Sequence, residues 1–156
     1  KDKTPVVTLV ERGGSARSFV TNDVKATTLR SHMDKHTDKR SMLMTDEGGV
    51  YKAVGREYAD HRTVVHSTRE YGRTDSDGVQ VNNNEAEAYF SLLKRGLYGT
   101  FHHCSPEHLQ KVVDEFDFRW NTRKMSDTER ALKALGQVGG KRLYYRKPKG
   151  VIQAGK

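Results

Sequence analysis

Hydrophobic and polar positions alternate at the start of the chain in the manner of a strand. Residues 4–11 (TPVVTLVE) are β-branched and apolar, and Arg12-Gly13-Gly14-Ser15 has turn composition. Residues 17–21 then read as the returning strand of a hairpin. Asn22 or Asp23 is placed to cap a helix to about His36, with Val24, Thr28, Leu29 and Met33 inward. Residues 41–45 (SMLMT) form a short apolar run with the length of a buried strand. Asp46-Glu47-Gly48-Gly49 follows at its carboxyl end, where open α/β sheets place their ligands. Residues 50–55 begin a helix, and 62–67 (RTVVHS) are another short strand. Residues 69–81 are polar with aspartate- and glycine-rich turns, which predicts a mobile loop.

The helical rhythm is clearest from Asn82 to His103. Three asparagines, Asn82, Asn83 and Asn84, favour caps and turns, and either of the last two can cap a helix over residues 85–95. Glu85 and Glu87 suit its positive first turn, and Gly96 reads as its stop. Ala86, Tyr89, Phe90 and Leu93 share one buried face, while Glu87 and Lys94, two turns apart, share another. As a bare pattern the Glu87–Lys94 face is a solvated charged surface. Ser105-Pro106-Glu107 opens a helix to about Asn121 with an apolar stripe of Leu109, Val112, Val113, Phe116 and Trp120. Asp127 is placed to cap a last helix with Ala131, Leu132 and Leu135 inward, ended by Gly136, Gly139 and Gly140. Strands lead and helices alternate later, so the class is α/β, a single domain over residues 1–156 with a basic tail over 141–156.

Charge adds a partner class. Lys and Arg outnumber Asp and Glu by 28 to 20, a net +8 over 156 residues, which suits a polyanion and most simply nucleic acid. No segment is apolar enough to span or anchor in a membrane. Cys104 is alone, so no intrachain disulfide forms, in keeping with a reducing cytoplasm. The chain opens on Lys1 without a methionine or a signal-peptide pattern, which reads as a fragment of something longer. Glycines 13, 14, 48 and 49 lack the Lys-Ser/Thr of a phosphate loop, and no Ser/His/Asp nucleophile signature is present. His102, His103, Cys104 and His108 cluster without the paired Cys-x-x-Cys that would frame a zinc site.

The run Asn84-Glu-Ala-Glu87 through His103 resembles the third catalytic block of bacterial insertion-sequence transposases of the DDE, ribonuclease H-like superfamily, ISXO-type group. Other matches follow in order: Lys3-Thr-Pro-Val-Val, Val10-Glu-Arg-Gly-Gly14, Thr45-Asp-Glu47, Val65-His-Ser67 with Glu70-Tyr71, Pro106-Glu-His-Leu-Gln110, residues 115–123, and Gly140-Lys-Arg-Leu143. The resemblance implies a mixed sheet of three antiparallel and two parallel strands flanked by helices. Its first strand, which carries the family's first catalytic Asp, would lie between the strand at 4–11 and the strand at 41–45. No residue before Lys1 supplies it, and Asp2 is too close to the next strand. The gap would leave two unpaired strand edges, expected to be filled by a strand of a neighbouring copy in a homo-oligomer. The chain alone is then expected to be inactive.

By the same resemblance, Asp46 and Glu87 are the catalytic metal ligands, for two Mg²⁺ or Mn²⁺ ions in the intact site. Hard carboxylate oxygens suit such ions in phosphoryl transfer. On sequence alone Asp46 also reads as a turn residue capping the next helix, and Glu47 as an acid that faces away or caps. Lys94 would contact DNA phosphate, with Arg95, Arg119, Arg123 and Lys124 adding contacts, although charged helix faces are usually only solvated. His66, at a strand end, orients a water or phosphate or is a satisfied structural histidine. The implied function is nicking of transposon ends and strand transfer into target DNA, in a bacterial cytoplasm at the nucleoid. The alternatives are a basic binding module that does not cut nucleic acid, and a ribonuclease H-like nuclease outside transposition.

Overall fold

Val6–Val10 (β1) and Ala16–Val20 (β2) form the expected antiparallel hairpin in a computed structural model that describes residues 3–102 and 104–140. The register runs from Val6 opposite Val20 to Val10 opposite Ala16. Gly13 turns the chain with φ +69°, a left-handed conformation that glycine adopts without strain. Both faces of the hairpin are covered, as the period of two allows. Val7 and Leu9 pack with Leu29, Met33, Val54 and Tyr58. Val6, Val10, Ala16 and Val20 pack with Tyr89, Leu93, Val113 and Phe116.

The two outer edges of the hairpin differ. Hydrogen bonds from Thr21 N to Pro5 O and from Glu11 N to Ser15 O fix the phase of the ladder, so Ala16, Ser18 and Val20 direct their backbone groups outward. A helix, Pro106–Asn121 (α4), meets them with side chains two and three turns apart. Gln110, Asp117 and Asn121 accept from the amides of Val20, Ser18 and Ala16, each at 2.7 Å. Gln110 and Asn121 also donate to the carbonyls of Ser18 and Ala16. This edge is therefore closed to a further strand. The opposite edge, with the outward groups of Val6, Thr8 and Val10, borders a cleft.

Ala26–His36 (α1) buries Leu29 and Met33. It starts later than the sequence implies, and Val24 lies before it, 51% exposed rather than inward. Asp23 still steadies the start, accepting from Lys25 N and Thr28 Oγ1. Met42–Asp46 (β3) pairs in parallel with Asp60–Val64 (β4), joined through Gly49–Gly55 (α2). The strand expected to be buried is only half so, and Met42 is exposed, because β3 has a paired neighbour on one side and the cleft on the other. Among the described residues β1–β2, β3–β4 and a third small pair form separate two-stranded sheets. Direct closure of β1 onto β3 is not found.

Residues 69–81, read as a mobile loop, contain that third pair, Arg73–Thr74 (β5) and Gln80–Val81 (β6). Its anchor is Arg62 on β4, whose guanidinium meets Asp60 at 2.8 Å, Asp75 at 3.0 Å and Asp77. Hydrogen bonds from Arg62 hold the Asp77 carboxyl far below the usual carboxylate range. This support is complete above about pH 4, the unfolded aspartate value, and is lost as pH falls through the lower folded value. Arg62→Ala is expected to raise the Asp77 titration toward the ordinary range, with the hydrogen bond from Val79 N still lowering it, read by NMR. Amide exchange at Arg73 and Val81, the hydrogen-bonded pair of this ladder, should speed up by about tenfold.

The central helix Asn84–Gly96 (α3) does not stop at Gly96. It runs on into a π-helical turn, Leu97–Phe101. A second compact unit begins at Thr122 and includes Asp127–Gly136 (α5). There Ser126, not Asp127, is the cap, in a reciprocal box with Glu129. Leu132 and Leu135, expected inward, are 64% and 68% exposed, since α5 buries no residue. His103 and the basic tail 141–156 lie outside the described residues. Among the described residues no helix is long and apolar enough to cross a membrane.

Candidate active site

Between β1 and β3 lies a cleft of about 1530 Å³, larger than the ~300–1,000 Å³ of a small-molecule site. Asp46, Tyr51, His66, Asn83 and Glu87 all line it. The fold thus brings three of the sequence-predicted site residues to one cleft from three different elements.

Asp46 ends β3, where the parallel pair opens. Its Oδ1 accepts from Gly48 N at 2.9 Å, so the turn role is real. A Cβ at Gly48 would stand 2.9 Å from that oxygen and 3.1 Å from the Tyr51 ring, which explains the glycine. Burial, reinforced by the Asp46 charge, raises the Tyr51 phenol. Glu47 points elsewhere, accepting from Ser67 N and Oγ.

Glu87 sits in the first turn of α3 with its side chain half exposed. Its Oε1 lies 3.2 Å from His66 Nε2. His66 opens a single 3-10 turn after β4, and Asn83 Nδ2 lies 3.1 Å from the same ring nitrogen. Nε2 either donates its proton to Glu87 or accepts one from Asn83, so the two neighbours compete for it. Asn83 Oδ1 is buried without a hydrogen-bond partner among the described residues.

Two sets of contacts bracket Glu87 on α3. Two residues before it, Glu85 accepts from Gly13 N with both oxygens, at 2.8 and 3.0 Å. Arg12 reaches the carbonyls of Gln80 and Asn82 just upstream. Two residues after it, the Tyr89 hydroxyl donates to Asp117 Oδ1 at 2.5 Å and lies 2.8 Å from Ser18 Oγ. Burial and Asp117 push the Tyr89 phenol well up, so it stays a donor. These positioning residues were not singled out from sequence. The one available signal was a tyrosine, rather than a phenylalanine, on the buried face of α3, since a buried hydroxyl needs a partner.

The basic candidates divide. Lys94 and Arg95 are exposed in the last turn of α3. Arg119 is engaged, paired with Glu115 at 2.5 Å and lying over the Phe116 ring. Arg123 and Lys124 belong to the second unit.

Asp46 and Glu87 each offer carboxylate oxygens of the hard kind that Mg²⁺ and Mn²⁺ take, and both line the cleft. Among the described residues no group of three or more His, Cys, Asp or Glu could hold a metal ion, so they form no complete ligand set for either ion. The family model for the ISXO2-like transposase domain matches residues 1–121. No curated protein and no solved structure matches the chain.

Proposed function

The chain belongs to the family of ISXO2-like transposase domains, and from that premise we propose that its cleft supplies part of the active site with which the parent transposase carries out the phosphoryl transfers of DNA transposition. The family itself places the chain in DNA transposition, with DNA as substrate, and DDE transposases generally use divalent metal ions. The finer reading is that Asp46 and Glu87 are the catalytic carboxylates, within a ribonuclease H-like arrangement that works as a homo-oligomer. The observation that carries it is that Asp46 and the contacting pair His66 and Glu87 line one cleft inside the family-matched span.

Asp46 and Glu87 would hold Mg²⁺ or Mn²⁺, which when bound supplies activation of the attacking oxygen and charge stabilisation of the leaving one. The protein's own part is positional. Gly48 N fixes the Asp46 carboxylate, and His66 Nε2 holds the Glu87 carboxylate. Lys94 and Arg95 face the DNA backbone as phosphate contacts, and Arg123 and Lys124 add phosphate contacts from the second unit. Binding through such contacts is electrostatic and weakly selective for sequence.

Adding Mn²⁺ to the isotope-labelled chain tests this without requiring turnover. Paramagnetic broadening is expected at Asp46, Gly48, His66 and Glu87, reversed by excess Mg²⁺ and absent in Asp46→Asn. Salt-sensitive DNA binding with no broadening at those residues would make the chain a binding module instead. Broadening together with cleavage but no joining of transposon-end DNA would make it a nuclease.

A further inference from the structure

We propose that Tyr71 is a stacking platform for one unpaired DNA base held beside the scissile phosphate. This rests on the reading that the cleft between β1 and β3 receives DNA.

Tyr71 is 69% exposed, yet its backbone is fastened on both sides. Before it, Arg69 takes φ +61°, a left-handed conformation uncommon for a residue with a Cβ, and turns the chain back. Glu70 then accepts from Val65 N at 2.8 Å and from Arg73 at 2.9 Å. After it, Gly72 packs so closely that a Cβ there would lie 3.2 Å from Asn82 and 3.3 Å from the Val81 carbonyl, at the entry to α3. Arg73 donates to the carbonyl of Thr63 and to Asp75. A segment held this firmly leaves the ring itself in solvent.

The place of the ring is specific. It lies against His66, with ring centroids 6.2 Å apart and planes tilted by 57°, and His66 in turn meets Glu87 at 3.2 Å. Scattered exposed apolar side chains need no explanation, but a fixed, exposed aromatic one residue removed from a candidate catalytic carboxylate is different. Glu70 beside it is already paired with Val65 N and Arg73, so what Tyr71 itself offers to solvent is an uncharged ring, whose natural ligand is the face of a base. In a duplex both faces of a base are already stacked, so only a base out of the helix can lie on Tyr71. Every base offers a π face, and stacking of this kind is tolerant of sequence.

The experiment uses the full chain and a forked DNA duplex with 2-aminopurine placed at each nucleotide of the single-stranded arm in turn, with a fully paired duplex as control. At one position of the arm, binding should quench the probe through stacking on Tyr71. Tyr71→Ala should abolish that quenching and weaken binding of the forked DNA by about tenfold, leaving the paired duplex unchanged. Tyr71→Phe should retain both the quenching and the affinity, because the ring and not the hydroxyl does the stacking. Unchanged thermal unfolding of Tyr71→Ala, expected from its exposure, separates the effect from misfolding. Salt-dependent binding of both DNAs with no Tyr71-dependent quenching would overturn the proposal while sparing the functional reading. Equal loss on forked and paired DNA would also overturn it, as a phosphate or structural role. Failure to bind either DNA would overturn both.

Discussion

Asp46→Asn or Glu87→Gln, introduced into a transposase carrying this domain, is expected to abolish strand transfer, by more than about a hundredfold, while DNA binding stays largely in place. Both substitutions remove a charge and keep the shape. The amide oxygen introduced by Asp46→Asn would still accept from Gly48 N, so the turn after β3 would hold. Glu87→Gln likewise keeps an oxygen for His66 Nε2. Neither change touches the buried clusters, so folding is spared. What is lost is the anionic oxygen that a hard cation requires. A strand-transfer assay run beside a binding titration reads the two effects separately. Loss of binding in step with activity would assign both carboxylates a structural role.

The parts of the fold that were legible share one property: their burial repeats with a short period. The apolar stripe of α4 gave its inner face, with Leu109, Val112, Val113 and Phe116 all buried. The β-branched run and the Gly13-Gly14 turn gave the hairpin. What escaped depends on partners distant in sequence. Nothing in the local pattern marks Gln110, Asp117 and Asn121, yet they close the edge of β2, 90 to 105 residues upstream. Arg62 read as the first residue of a strand, and only the fold brings Asp75 and Asp77 to it and turns a loop into a hairpin. The stripe on α5 had the right period but buries nothing, because period alone does not supply a partner. At the site, the bare pattern read only a turn cap at Asp46 and a solvated charged face at Glu87, and it was the resemblance that singled the two out. That both line one cleft follows from the fold, through the crossover at α2 and the docking of α3. The contacts that bracket Glu87, from Gly13 and Ser18, cross more than seventy residues and left no local trace.

Gly96 was the clearest misreading, and Gly96→Ala is expected to destabilise the protein by about 2 kcal/mol. The sequence places this glycine where a helix would end. The backbone there is helical instead, with φ −67° and ψ −45°. Helix propensity alone therefore predicts a gain of about 1 kcal/mol from alanine. Packing opposes it. A Cβ at Gly96 would lie 2.0 Å from Phe116 Cζ, 2.8 Å from Cε2 and 2.9 Å from Cε1. Carbon atoms pack best at about 3.5–4.0 Å, so the ring would have to move by well over an ångström. Phe116 is only 3% exposed and shares its cluster with Tyr89, Leu93 and Val113, so it has nowhere open to go. Overpacking of this kind costs about 1–3 kcal/mol and occasionally more, which outweighs the propensity gain. Urea unfolding of the single variants and of Gly96→Ala with Phe116→Leu gives a double-mutant cycle. The pair should be less destabilised than the sum of the two by about 1 kcal/mol or more, because the smaller side chain makes room for the methyl group. A stabilised Gly96→Ala, or strict additivity in the cycle, would mean that α3 and α4 are not held in contact at this point.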